Sequence, residues 1–140
     1  MNHDIYPENY TTDILAATKI IALVGASANV MRPSYGVMKF LLSKGFDVIP
    51  VNPGLAGKEI LGQKVYASLG AIARKFDMVD IFRNSNAIAG LVDEVLSLAA
   101  KPKVVWMQLG VRNDEAAVKA EAAGIQVVMN RCPAIELRHQ

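Results

Sequence analysis

Five short apolar runs, alternating with segments of helical periodicity, constrain the fold of this chain most strongly. The runs start at Ile20, Phe46, Met78, Lys103 and Ile125. None of them alternates polar with apolar residues, so both faces of each strand are expected to be buried. Buried strands that alternate with helices are typical of a parallel sheet with right-handed crossovers. The pattern therefore predicts an α/β fold of the Rossmann-like class, with an open, mainly parallel sheet covered by helices on both faces.

Helices are predicted between these runs and before the first of them, at residues 13–17, 32–44, 68–74, 86–101 and 114–123. Thr11 and Thr12 are placed to cap the first helix, and Ser68 is placed to cap the third. The first helix is expected to cover a sheet edge. A further short strand is expected near residues 64–66.

The length and composition indicate one domain. The chain has 140 residues, of which 52% are hydrophobic, enough for one well-buried core. We expect an amino-terminal arm and short helix over residues 1–18 and a single domain over residues 19–140. The net charge is only +2 and is scattered along the chain, which argues against nucleic acid as a main partner.

The sequence favours a protein of the cytoplasm. Cys132 is the single cysteine, so an internal disulfide is excluded. The first residues lack the basic start and apolar run of a leader, and no apolar stretch approaches the roughly 20 residues of a membrane span. A reducing, cytoplasmic setting without membrane contact is the expectation.

Polar, small or turn-forming residues follow every predicted strand. Ligands of open parallel sheets bind outside the carboxyl ends of the strands, where the strand order reverses. Arg32, Arg83 and Arg131 are all expected at that edge, and arginine can hold phosphate through two parallel N–H bonds. The edge therefore indicates an anionic ligand with more than one phosphate group, although polar loops and solvated arginines would also explain the pattern.

The turn after the first strand is a candidate phosphate-binding turn. Gly25 allows the backbone to turn sharply, and the unpaired N–H groups at the start of the next helix would point at an anion. The dinucleotide fingerprint is absent, because Ser27 replaces its second glycine and Asn52 stands where NAD needs a carboxylate. NADP stays open, since Arg32 could hold a 2′-phosphate. A P-loop is excluded because no Gly-Lys-Ser or Gly-Lys-Thr triplet follows Gly25.

Six strings of residues at these strand ends resemble one known family. They are Val24-Gly25-Ala26-Ser27, Arg32-Pro33-Ser34-Tyr35, Val48-Ile49-Pro50-Val51-Asn52-Pro53, Val79-Asp80-Ile81-Phe82-Arg83, Val105-Trp106-Met107-Gln108-Leu109-Gly110 and Asn130-Arg131-Cys132-Pro133. Together, over residues 19–137, they resemble the small single-domain CoA-binding proteins of bacteria and archaea. The same domain is similar to the CoA-binding part of succinyl-CoA synthetase α subunits and of ADP-forming acyl-CoA synthetases, which need further domains.

The resemblance implies a set of cofactor-binding residues and the part of CoA that each of them contacts. It implies that the pyrophosphate lies on Gly25, Ala26 and Ser27, with Arg32 and Tyr35 closing over it. It implies that Asn52 and Pro53 line the adenosine side, that Phe82 and Arg83 flank the nucleotide or its 3′-phosphate, and that Gln108, Gly110, Asn130 and Arg131 lie toward the pantetheine. Residues 28–31 depart from the family, where more charged or proline-rich residues are expected.

No catalytic or metal constellation stands out. His3 and His139 lie near the termini, where we expect solvated side chains, and the phosphorylated histidine of the synthetases has no interior counterpart. The sequence thus favours non-catalytic binding of CoA or an acyl-CoA, with a small NADP-dependent oxidoreductase as the alternative. The partners to expect are a CoA-type molecule and either a second copy of the chain or a larger CoA-using enzyme.

Four residues carry competing interpretations. Cys132 is expected as a buried apolar side chain, and the alternative is a mixed disulfide with bound CoA. Asp80 is expected to cap a neighbouring helix or loop rather than act as an acid. Trp106 and Phe82 would either stack on adenine or pack in the core.

Overall fold

The computed structural model describes residues 1–138, which fold around a five-stranded parallel sheet. The strands are β1 (Ile20–Val24), β2 (Asp47–Val51), β3 (Glu59–Ile60), β4 (Gln63–Lys64), β5 (Met78–Ile81), β6 (Val104–Met107) and β7 (Gln126–Val128). The main sheet has the order β2-β1-β5-β6-β7, and β3 and β4 form a separate antiparallel hairpin. The helices are α1 (Tyr10–Ala17), α2 (Pro33–Ser43), α3 (Ile88–Ser97), α4 (Asp114–Ala122) and α5 (Pro133–Arg138).

Both faces of the sheet are buried, as the apolar runs predict. Alternate side chains of β1, β5 and β6 enter two separate hydrophobic clusters. One cluster is completed by α3 and α4, and the other by α1, α2 and α5. Full burial of a large apolar side chain contributes about 1.5–3 kcal/mol, so these two clusters hold the helices on the sheet. The Rossmann-like parallel α/β fold is therefore confirmed.

The order of the strands reverses at β1. The chain passes from β1 to β2 on one side, then crosses back to place β5 on the other side of β1. The loops that leave β1 and β5 therefore diverge, and a crevice opens between the carboxyl ends of these two strands.

The amino-terminal arm covers the β7 edge of the sheet, as expected. The Tyr10 hydroxyl donates to the Val127 carbonyl at 2.8 Å, and the Met129 N–H donates to the Tyr6 hydroxyl oxygen at 2.8 Å. These two bonds satisfy backbone groups that an edge strand would otherwise leave unpaired.

Several local predictions were wrong. The first helix begins at Tyr10 and has no side-chain cap, because the Thr11 hydroxyl instead donates to Glu136 at 2.7 Å. The helix predicted over 68–74 is a single 3₁₀ turn, Leu69–Ala71, which Ser68 does not cap through its side chain. The short strand expected near 64–66 is present as Gln63–Lys64, with a β-bridge from Tyr66 to Val51, whereas α3 is shorter than predicted at both ends.

Two elements were not predicted, the strand β3, which pairs with β4 in an antiparallel hairpin, and the six-residue helix α5. Within residues 1–138, no helix has the length and apolar character that crossing a membrane requires.

Candidate ligand cleft at the carboxyl edge of the sheet

A cleft of about 420 Å³ lies where the strand order reverses. Seven predicted site residues line it: Gly25, Ala26, Ser27, Arg32, Asn52, Phe82 and Gln108. Four further residues line it that were not singled out as ligand-binding: Pro33, Ser34, Leu109 and Val111. Its volume falls in the range of small-molecule sites, roughly 300–1,000 Å³. The structure thus brings together residues from the ends of β1, β2, β5 and β6.

Gly25 is required at the turn after β1 for two reasons. Its φ is +86°, a conformation that side chains other than glycine rarely adopt. A β-carbon added at this position would lie 2.2 Å from the Phe82 carbonyl oxygen, closer than any real contact. The glycine therefore lets the β1 turn and the end of β5 pass against each other at the base of the cleft.

The first two N–H groups of this turn are engaged within the protein. The Gly25 and Ala26 N–H groups donate to the Val51 carbonyl, at 3.1 and 3.3 Å. They fasten the turn to the end of β2, and a contact of the Gly25 and Ala26 backbone with a phosphate stays a prediction.

The N–H groups of Ser27 and Ser34 donate to no other group among residues 1–138. Ser27 is half-buried in the turn, and Ser34 is buried in the first turn of α2, directly after Pro33. The amino-terminal end of a helix carries a partial positive charge, and the exposed Arg32 adds a full one. This side of the cleft has the donors and the charge that an anion requires.

Asn52 builds the wall of the cleft on the β2 side. Its Nδ2 donates to the Ala26 carbonyl at 2.8 Å, and its Oδ1 accepts from the Gly54 N–H at 2.8 Å. The side chain therefore locks the β1 turn to the short 3₁₀ turn Pro53–Leu55. The Asn-Pro-Gly sequence was a signal for this capping role.

The opposite wall is a loop after β6 that Asn130 holds in place. The Gly110 N–H donates to Asn130 Oδ1 at 2.7 Å, and the Asn130 N–H donates to the Val111 carbonyl at 3.1 Å. Neither Asn130 nor Gly110 lines the cleft itself. Both support Leu109 and Val111, which do.

The remaining predicted site residues lie outside the cleft. Tyr35 is half-buried against the hydrophobic cluster under α2. Pro53 and Arg83 are exposed, and each directly follows a residue that lines the cleft. The Arg131 guanidinium carbon lies 5.1 Å from the centre of the Tyr6 ring, so its side chain contacts the amino-terminal arm. A direct ligand contact by these residues stays a prediction.

Burial decides the interpretation of Trp106 and confirms that Cys132 is a buried side chain. Trp106 is fully buried and its Nε1 donates to the Arg131 carbonyl at 2.9 Å, so it packs in the core and does not stack on a ligand. Cys132 is buried in the same cluster, as the apolar interpretation expects. Phe82 is half-buried and lines the cleft.

Three exposed apolar side chains belong to two loops that contribute residues to the cleft. Met31 is 85% exposed and Val30 is 66% exposed in the loop before α2, and Leu109 is 51% exposed on the opposite side. Sequence reasoning had noted residues 28–31 only as a departure from the family pattern. Val30 and Met31 lie in the same loop as Ser27 and Arg32, which line the cleft.

Asp80 does not cap a helix or loop, so that prediction was wrong. Its carboxyl is fully buried and neither oxygen has a hydrogen-bond partner among the described residues. Burial raises the pKa of the Asp80 carboxyl well above its ordinary value. Gln108, which lines the cleft, is also buried and its Oε1 is unpaired in the described structure.

His3 is buried, which contradicts the expectation of a solvated side chain. Its Nδ1 lies 2.7 Å from the Tyr6 hydroxyl oxygen and its Nε2 lies 3.2 Å from Glu121 Oε1. His139 lies outside the described residues. In the part of the chain that the structure describes, no group of three or more His, Cys, Asp or Glu side chains is arranged to hold a metal ion.

The sheet order and the cleft at its reversal define a protein of the Rossmann-like α/β class. More narrowly, the chain belongs to the CoA binding domain family, whose sequence model matches residues 19–138. The uncharacterized protein YneT of Bacillus subtilis (strain 168) is 38% identical over 120 residues, which cover 86% of this chain and 86% of that protein.

Solved structures share the fold. A hypothetical protein from Pyrococcus horikoshii OT3 superposes with a TM-score of 0.89, at 39% identity, over 99% of this chain and 95% of that one. The dinucleotide-forming acetyl-coenzyme A synthetase 1 of Ca. Korarchaeum cryptofilum, in complex with phosphate and ADP, superposes with a TM-score of 0.65 at 25% identity. That match covers 78% of this chain but only 25% of the synthetase chain.

Proposed function

We propose that this protein binds CoA or an acyl-CoA in the cleft, with the pyrophosphate held at the amino-terminal end of α2. The observation that carries the proposal is the pair of unengaged N–H groups, on Ser27 and Ser34, beside the Arg32 side chain. Backbone donors, a helix terminus and an arginine together suit a phosphate group. Membership of the CoA binding domain family supports CoA as the ligand that carries it.

The two sides of the cleft suit the two halves of CoA. Asn52 lines the β2 side, where the adenosine would rest, and the exposed Pro53 follows it just outside the cleft. Phe82 and Leu109 offer apolar surface on the opposite side. Arg83 follows Phe82 and is exposed, which suits the 3′-phosphate at the rim.

The proposed role is binding without catalysis, in the cytoplasm. The cleft is lined by Gly, Ala, Ser, Arg, Pro, Asn, Phe, Gln, Leu and Val, which include none of the common catalytic acids, bases or thiols. The similarity to one quarter of an acetyl-CoA synthetase chain supports a module that works beside a larger CoA-using enzyme. The NADP alternative gains no support, because the family is a CoA-binding one and the Asn52 amide is engaged within the fold.

Calorimetric titration with CoA, acetyl-CoA, 3′-dephospho-CoA, NADP and ATP tests the proposal, after removal of any copurified ligand. We expect saturable CoA binding that Arg32→Ala weakens roughly ten- to a hundredfold, the range for a charge-assisted hydrogen bond. Arg74→Ala is the matched control, because Arg74 pairs with Asp47 at the opposite end of β2. Arg83→Ala should weaken binding of CoA but not of 3′-dephospho-CoA. Binding of NADP alone would refute the proposal.

A further inference from the structure

Three buried side-chain oxygens beneath the cleft have no hydrogen-bond partner among residues 1–138. They are both carboxyl oxygens of Asp80 and Oε1 of Gln108. Asp80 is 0% exposed and Gln108 is 8% exposed. Native proteins pair nearly all buried polar atoms, so a group of three requires a physical explanation.

The strand register places Asp80 and Gln108 near each other on one face of the sheet. Asp80 lies between Leu23 of β1 and Trp106 of β6, on the face that also carries Met78 and Trp106. Gln108 follows Trp106 by two residues and therefore points to the same face. Gln108 is therefore the diagonal neighbour of Asp80 across the parallel β5–β6 pair, about 4.8 Å away across the pair and about 6.6 Å along the strand, a separation that the two side chains together can span.

The Gln108 amide N–H groups form no hydrogen bond to Asp80, so the three oxygens have no donor among these two side chains. The indole Nε1–H of Trp106, the nearest donor in the register, is already bonded to the Arg131 carbonyl. If Asp80 were ionised, all three oxygens would be acceptors and a buried charge would stand unpaired, which is strongly unfavourable. Protonation converts one Asp80 oxygen into a donor, and a bond from it to Gln108 Oε1 pairs two of the three atoms at once.

We propose that Asp80 is a positioning residue that, as a neutral carboxylic acid, donates its O–H to Gln108 Oε1 and thereby directs Gln108 Nε2–H into the cleft. There the amide donates to an acceptor oxygen of the bound CoA, so this step rests on the proposed function. Gln108 lies beside Phe82 and Leu109 on the wall that faces Arg32. Asp80 itself is too deeply buried to touch the ligand.

A double-mutant cycle with CoA as the titrant tests the coupling. Asp80→Asn keeps a donor at the same place, so its affinity should stay within twofold of the wild type. Asp80→Leu and Gln108→Leu should each weaken binding roughly two- to tenfold, as expected for one hydrogen bond. The double variant should bind CoA no more weakly than Gln108→Leu alone, because both substitutions remove the same contact of Gln108 with CoA. The proposal would be overturned if the two single losses of CoA affinity multiplied in the double variant. It would also be overturned if Asp80→Asn lost as much affinity as Asp80→Leu.

Infrared difference spectroscopy tests the protonation of Asp80 without any ligand. The wild-type spectrum minus that of Asp80→Asn should contain the carbonyl stretching band of a protonated carboxyl group at neutral pH. Absence of that band overturns the proposal whatever CoA does. If the band is present but the wild-type protein does not bind CoA, the proposed function fails and the ligand contact of Gln108 fails with it, while the proton on Asp80 stands.

Discussion

Asn130 Oδ1 accepts a 2.7 Å hydrogen bond from the Gly110 N–H and so joins the loop after β6 to the loop after β7. Asn130 adopts a φ of +57°, in the left-handed region that asparagine tolerates better than most residues. Gly110 has a φ of +81°. The wall of the cleft formed by Leu109 and Val111 therefore depends on a residue that does not line the cleft.

Substitution of Asn130 should separate the hydrogen bond from the backbone conformation. Asn130→Gly keeps the left-handed conformation and loses only the bond, which costs about 1 kcal/mol. Asn130→Ala also places a less tolerant residue at φ +57°, which costs about 1–2 kcal/mol more. Urea unfolding should rank the stabilities as wild type, then Asn130→Gly, then Asn130→Ala. Equal stability of all three proteins would contradict this account.

Gly25 should tolerate no side chain. In Gly25→Ala the new β-carbon would lie 2.2 Å from the Phe82 carbonyl oxygen, and the backbone at φ +86° would be strained as well. We expect a loss of about 3 kcal/mol or more in the free energy of unfolding, or failure to fold.

Gly36→Ala is the control for that substitution. Gly36 lies within α2, has no atom within 4 Å of an added β-carbon and does not have a positive φ. Alanine is the better helix former, so Gly36→Ala should raise the melting temperature, by an amount equivalent to about 0.5–1 kcal/mol. A similar effect of alanine at both positions would show that the Phe82 contact is unimportant.

The stability of the protein should fall as pH rises above the ordinary carboxyl range, because of Asp80. Burial raises the pKa of this carboxyl in the folded state, whereas it titrates near pH 3.9 in the unfolded chain. Between these two values the folded state holds one more proton, so the free energy of unfolding decreases with pH by up to about 1.4 kcal/mol per unit.

Asp80→Asn does not titrate and should escape this loss. The stability of the variant relative to the wild type should therefore increase from pH 4 to pH 7 in denaturant titrations. Both proteins keep Cys132, Tyr6, Tyr10 and Tyr35, which lie in or against this cluster, so the difference isolates position 80. Parallel pH profiles would show that Asp80 is ionised in the folded protein.

Removal of the Tyr10 hydroxyl should loosen the arm at the β7 edge. The hydroxyl donates to the Val127 carbonyl, and burial raises the pKa of Tyr10 to about 12. Tyr10→Phe should lower the free energy of unfolding by about 1 kcal/mol and speed hydrogen exchange in β7. Tyr66→Phe is the control, since Tyr66 is half-buried and its hydroxyl has no hydrogen bond within the described structure. Equal effects of the two substitutions would argue against the edge bond.

The sheet could be predicted from the sequence because a strand that is buried on both faces needs a continuous apolar run, such as Ile20–Val24. The turn at Gly25 was predictable for a different reason, because few residues other than glycine permit its positive φ. The six-residue α5 was missed because it is too short for a periodic pattern, and Pro133 at its start is equally common in turns.

The rest of the site depends on contacts that are distant in sequence. His3 is buried because it meets Glu121, 118 residues away, and terminal position alone suggested the opposite. The engagement of the Gly25 and Ala26 N–H groups depends on how close the Val51 carbonyl lies, which only the sheet register determines. The sequence thus predicted seven of the eleven residues that line the cleft, and tertiary contacts determined which of their groups are engaged within the protein.

The cleft is assembled from chain segments as far apart as Gly25 and Val111, which meet only when β5 and β6 have joined β1. An unfolded or partly folded chain therefore has no binding site. A ligand that occupies the cleft therefore binds only the folded chain and stabilises the whole domain against unfolding. At a free concentration one hundred times its dissociation constant it would add about 2.7 kcal/mol to the folding equilibrium. Cellular supply of the ligand would thus set not only occupancy but also the lifetime of the folded chain against proteolysis.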